Sequence, residues 1–165
     1  MKKIFILLGA AISLGFARAA SVDWVITGRA GDVGKSVYLL TSLADSYDSV
    51  DKLTASALGW GTIESQGRTY GFSEELTKDA ITKDSLKKAY LVIIQGDEYT
   101  YLQVDMSDYV YYLNSQEETS PGSFTKSYSD IAAGTTRQFG PVPEPTSGLL
   151  MLLGAAGLAL RRKRS

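Results

Sequence analysis

Catalysis needs side chains that move protons or attack bonds near neutral pH, and this chain has a thin supply. Its 165 residues include no histidine and no cysteine. That removes Ser-His-Asp triads, Cys-His pairs, and thiolate or imidazole metal sites together. Carboxylates, Ser–Lys pairs and tyrosines remain. Asp97, Glu98, Asp105 and Asp108 lie close together in sequence, and two carboxylates at a suitable separation suffice for glycoside hydrolysis. Asp97-Glu98, however, falls in a predicted hairpin turn and Asp108 just before a strand, where acids are ordinary. Ser36 or Ser85 beside a lysine would make a dyad, but no spacing supports one. Asp45, Asp48 and Asp51 lack the alternating ligands, central glycine and closing glutamate of a calcium loop, and helix capping explains them better. Gly28 to Ser36 (GRAGDVGKS) ends like a phosphate-binding loop, yet Arg29 stands where its first glycine is required. The stretch reads as a hairpin loop, and neither metal nor cofactor is expected.

The tyrosines are the more informative group. Tyr99, Tyr101, Tyr109, Tyr111 and Tyr112 cluster within 14 residues. An exposed aromatic face stacks on sugar rings or contacts protein. Half-buried strand tyrosines are the commoner outcome of such a pattern, because the ring suits a pleated surface. A carbohydrate-binding module using these five residues is therefore an alternative function, ahead of a small secreted hydrolase.

The elements that must position these residues are mostly strands. In Val22 to Thr27, residues Val22, Trp24 and Ile26 share one face. Ser36 to Thr41 reads as a second strand. Between Asp45 and Leu58 the period changes: Val50, Leu53, Ala57 and Leu58 fall at helical spacing, with Asp48 as N-cap, Asp51 in the first turn and Gly59 as the stop. Trp60–Ser65 and Arg68–Phe72 flank Gln66-Gly67 as a hairpin. Glu74 to Ile81 is polar and suits a short helix. Lys88–Gln95 and Tyr99–Val104, joined by Gly96-Asp97-Glu98, form the strongest hairpin. Tyr109–Leu113 and Ser123–Tyr128 complete the strands. The pattern predicts a mainly β fold, a small antiparallel sheet or sandwich-like domain with one short helix.

The two ends differ from this middle. Lys2-Lys3, an apolar run from Ile4 to Phe16, and Ala17-Arg18-Ala19 form a secretory signal peptide, residues 1–19, cut by signal peptidase after Ala19 at the small residues Ala17 and Ala19. Residues 20–140 form the mature domain, 141–147 a proline-rich linker, and 148–165 an apolar helix with a basic tail. Seven of the 17 basic residues and one of the 18 acids, Glu144, lie in the ends, so Ala20–Gly140 holds ten basic and 17 acidic residues, a net of −7. That balance argues against nucleic acid, whose affinity comes from cations on phosphate, and against docking on anionic lipid.

The C-terminal stretch has three parts: Pro143-Glu144-Pro145, an uncharged run from Gly148 to Leu160, and Arg161-Arg162-Lys163-Arg164. A helix over the 15 residues Thr146 to Leu160 rises about 22 Å, short against roughly 30 Å of hydrocarbon. The basic residues belong on the cytoplasmic side, where they act as a stop. An ordinary anchor has no need of Pro-Glu-Pro before it. The order resembles the PEP-CTERM sorting tail of exported bacterial proteins. The resemblance implies an exosortase-like membrane peptidase as partner, recognition at Pro143, Glu144 and Pro145, and cleavage nearby. It also implies transient anchoring in the inner membrane, release to the cell surface or extracellular matrix, and a link to exopolysaccharide. The expected function is that of a non-enzymatic exported protein sorted by this system.

Overall fold

A computed structural model describes residues 19–112 and 121–140. The signal peptide through Arg18 (with Ala17), the end of the predicted Tyr109–Leu113 strand, and the linker and sorting tail from Pro141 onward lie outside the described residues.

Among the described residues ten strands form two five-stranded sheets, with three short α-helices. In the first sheet β1 (Ala20–Thr27) is central. It pairs antiparallel with β5 (Thr69–Lys78) along its whole length, from Ala20 opposite Lys78 to Thr27 opposite Gly71. Its other side is shared by two strands. β8 (Val110–Tyr112) runs antiparallel to Ala20–Val22, and β9 (Phe124–Ser127) runs parallel to Trp24–Thr27. β4 (Glu64–Gln66) pairs with the outer edge of β5. The second sheet has the order β10 (Thr135–Gln138), β7 (Glu98–Val104), β6 (Ala89–Gln95), β2 (Ser36–Leu40), β3 (Gly59–Thr62), all antiparallel.

One residue, the fully buried Ile63, separates β3 from β4. The chain therefore turns a corner from one sheet into the other. The period-two pattern of β1 places Val22, Trp24 and Ile26 in the core, together with Val37 and Leu39 from β2 and Leu91 and Ile93 from β6. A second apolar cluster lies on the other face of the second sheet. There Leu40, Val92 and Tyr99 are covered by Tyr47 and by Leu53 of α1 (Val50–Ala55), with Phe139 packed alongside. The central strands of that sheet thus bury apolar residues on both faces, which accounts for the near-continuous run Leu91-Val92-Ile93-Ile94.

Several expectations are corrected. The helix after residue 45 is shorter than predicted: Ser49, not Asp48, caps it by accepting the Lys52 N–H at 3.4 Å, while Asp48 pairs with the Lys52 ammonium. It ends at Ser56, and Gly59 opens β3 rather than stopping the helix. Glu74–Lys78 is strand, not helix, because pairing with β1 overrides the helix preference of Glu74-Glu75. A helix forms later, α2 (Lys83–Leu86), opened by a reciprocal Thr82–Ser85 capping box. The hairpin at Gln66-Gly67 joins β4 to β5, with Gly67 at φ 70°, and β3 belongs to the other sheet. α3 (Tyr128–Ala132) and β10 were not predicted. The β6–β7 hairpin stands as expected, with Gly96 at φ 61° between the paired residues Gln95 and Glu98.

Candidate functional site

The five clustered tyrosines do not share one face. Tyr99 is fully buried in the second cluster, edge-on to Tyr47 at 5.7 Å and 5.1 Å from Phe139. Tyr101 is half-buried beside it, under the Arg137 guanidinium at 5.1 Å. Tyr109 and Tyr112 pack against the core between the sheets, Tyr109 edge-on to Phe124 at 5.4 Å. Tyr111 points to the outer surface of the first sheet. Strands β7 and β8 belong to different sheets, so neighbours in sequence part in space.

The residues considered for catalysis are held by local structure. Lys35 is ion-paired to Asp32 at 2.8 Å and lies 4.8 Å from the Tyr128 ring. Its ammonium is held above the usual lysine range by Asp32, opposite to what a lysine base requires. Ser36 bonds Thr62 at 2.9 Å, and Ser85 completes the α2 cap. Asp105 accepts from the Ser107 N–H and hydroxyl, which hold its carboxyl below the usual range, whereas a general acid needs the reverse. Asp97, Glu98 and Asp108 are exposed. Gly28–Ser36 folds as a turn: Asp32 accepts the Arg29 N–H, Gly34 takes φ 85°, and a strand follows. Among the described residues no group of three or more acidic side chains is placed to hold a metal ion.

Tyr111 instead completes a polar lattice that sequence alone did not reveal. Its hydroxyl donates to Glu75 Oε1 at 2.7 Å, and Asp23 Oδ1 lies 3.5 Å away. The buried Ser21 hydroxyl donates to the same Glu75 oxygen at 2.9 Å. Asp23 and Glu75 are direct cross-strand partners, so each carboxylate faces the other's charge. The Tyr111 and Ser21 hydrogen bonds hold Glu75 below its ordinary value of 4.5, and burial raises Tyr111 above 10.0. A depressed carboxyl contributes stability above the unfolded-state value and loses it as pH falls through the folded-state value. Tyr111→Phe is therefore expected to lower the melting temperature at pH 7, and the gap to the wild type should narrow as pH falls below the ordinary carboxyl value of 4.5. Thermal unfolding of both proteins across pH 3–7 checks this; a gap that stays constant contradicts it.

Among the described residues the most exposed large apolar side chain is one that no sequence motif marks. Trp60, 60 % exposed, stands on β3 opposite Tyr38 on β2, ring centroids 6.4 Å apart and tilted by 33°. It forms one wall of a groove of about 380 Å³ at the seam between the sheets, with Thr62, Glu64, Gln66, Ser73 and Glu74. A second groove, about 570 Å³, lies beyond Tyr38 and Ser36. The sequence signal was a lone aromatic between two glycines, Gly59-Trp60-Gly61, which acquires meaning once the strand register is known.

The last described residues are held in place. The Phe139 N–H donates to the Asp97 carbonyl and the Gly140 N–H to the Tyr47 carbonyl, both at 3.0 Å. Pro143 follows three residues later in the sequence. At the other end Ala19 stands one residue before β1. The family model for the PEP-CTERM protein-sorting motif matches residues 141–164. That match supports an exosortase-sorted exported protein and indicates transient membrane anchoring through the C-terminus. No curated protein and no solved structure matches the chain. Among the described residues no helix is long and apolar enough to cross a membrane; the apolar run from Gly148 lies outside them.

Proposed function

We propose that this is a non-enzymatic protein of the cell surface or extracellular matrix, delivered there through the exosortase system and acting alongside exopolysaccharide. The observation that carries the reading is the sorting motif at residues 141–164, directly after the described residues of the domain, which end at Gly140. The cargo is a sandwich-like domain, residues 20–140, freed at its N-terminus by signal peptidase after Ala19. At the C-terminus Arg161, Arg162, Lys163 and Arg164 act as the cytoplasmic stop, and Pro143, Glu144 and Pro145 as the recognition element. The absence of histidine and cysteine from the chain supports a non-catalytic role, as does the involvement of Lys35, Ser85 and Asp105 in capping and pairing.

Mass spectrometry of envelope and medium fractions tests the processing. Mature molecules should lack residues 161–164; finding that end intact on most of them would sink the proposal. Glu144→Ala is expected to leave most of the chain uncleaved and in the membrane fraction. Unchanged processing would remove Glu144 from the recognition element.

A further inference from the structure

We infer that the folded domain binds an uncharged polysaccharide on Trp60 and Tyr38, with the hydroxyls of the sugar entering the adjoining seam groove. Trp60 is far more exposed than an apolar ring of its size is normally left, while Leu40, Val92 and Tyr99 on the same sheet face are already covered. What remains open is a platform of two rings, Tyr38 being half-buried beside Trp60. That is far below the roughly 800 Å² per partner of a stable protein interface, but it is the right size for the apolar face of one or two pyranose rings.

The groove beside the platform supplies the polar half of such a site. Thr62, Gln66 and Ser73 carry groups that donate and accept, and Glu64 and Glu74 accept from sugar hydroxyls. Its lining contains two carboxylates and no cation, within a domain of net charge −7. Uronate or sulfate polymers are repelled by that arrangement, which leaves neutral glycans as the fitting chemistry. The platform is also rigid. A Cβ at Gly59 would lie 2.4 Å from Leu76, and one at Gly61 2.4 Å from Phe72, so the backbone on either side of Trp60 is pressed onto the first sheet. Trp60 is therefore presented without the ordering cost of a mobile loop.

Affinity electrophoresis of the full exported chain, in mild detergent, tests this in gels cast with dextran, glucomannan or the anionic polymer alginate. Retardation by dextran or glucomannan and none by alginate is expected. Trp60→Ala should weaken the neutral-polymer affinity about tenfold, and Trp60→Phe should restore part of it. The emission of Trp24, which is buried and remains in both variants, reports that the fold is intact. Equal retardation of wild type and Trp60→Ala would overturn the inference, as would indifference to both neutral polymers. So would a Trp60-dependent dimer in sedimentation without polysaccharide retardation, because it would assign the ring to protein contact. The binding test is independent of tail processing: either proposal can fail while the other stands.

Discussion

Trp24→Ala is expected to destabilise the domain by about 3–5 kcal/mol, a substantial part of a typical domain's total. The indole is fully buried on the central strand of the first sheet, facing the core, with Phe72 edge-on at 4.9 Å and 84°. It is flanked by β5 on one side and β9 on the other, with Glu74 and Phe124 as its register partners. Strands hydrogen-bonded on both sides hold the backbone in place, so the surroundings cannot collapse into the space, and the cavity penalty adds to the lost burial. Trp24→Phe is a useful companion. The indole Nε1 has no hydrogen-bond partner among the described residues, so phenylalanine removes an unsatisfied buried donor while keeping much of the ring. It should cost clearly less than alanine. Urea unfolding at constant m-value measures both. A loss below about 1 kcal/mol for Trp24→Ala would place the ring outside a well-packed core.

The same strand shows what could be read before any coordinates. Period-two patterning identified the core face of β1, and two strand-forming runs joined by Gly96-Asp97-Glu98 identified the β6–β7 hairpin, because both signals are local. The sorting tail was legible for a related reason: it is a linear address, recognised as a string of residue types. What could not be read depends on partners distant in sequence. Glu74-Glu75 suits a helix until β1 offers eight residues of pairing. Asp48 and Ser49 are both good caps, and local geometry selects the serine. Tyr99 and Tyr111 look equivalent in sequence, yet one is sealed under Tyr47 on the second sheet and the other bonds Glu75 within the first. Trp60 stayed inconspicuous because its strand is short and glycine-rich, with no alternation to mark its outward face. The corner at Ile63, which brings the Trp60 groove together from β3, β4 and β5, has no sequence signature of its own.

Gly61→Ala is the second large effect expected, a destabilisation of about 1–3 kcal/mol from overpacking. A Cβ there would lie 2.4 Å from both Cδ2 and Cε2 of Phe72, closer than real Cβ contacts approach. Phe72 has little room to retreat, because its ring packs against Trp24. Alanine does lower the entropy of the unfolded chain, but that gain is below about 1 kcal/mol and is outweighed by the clash. Gly59→Ala should cost less, since its nearest contacts are the terminal methyl groups of Leu76, which can rotate away. A double-mutant cycle with Phe72→Leu separates sterics from other causes: the smaller side chain should recover part of the Gly61→Ala loss, giving a coupling energy of roughly 0.5 kcal/mol or more. Strict additivity would show that the two residues do not meet. Because Gly61 adjoins Trp60, forcing β3 off the first sheet would also tilt the aromatic platform. Gly61→Ala should therefore weaken neutral-glycan retardation even at temperatures where the protein remains folded, linking the close approach of β3 to the first sheet with the surface beside it.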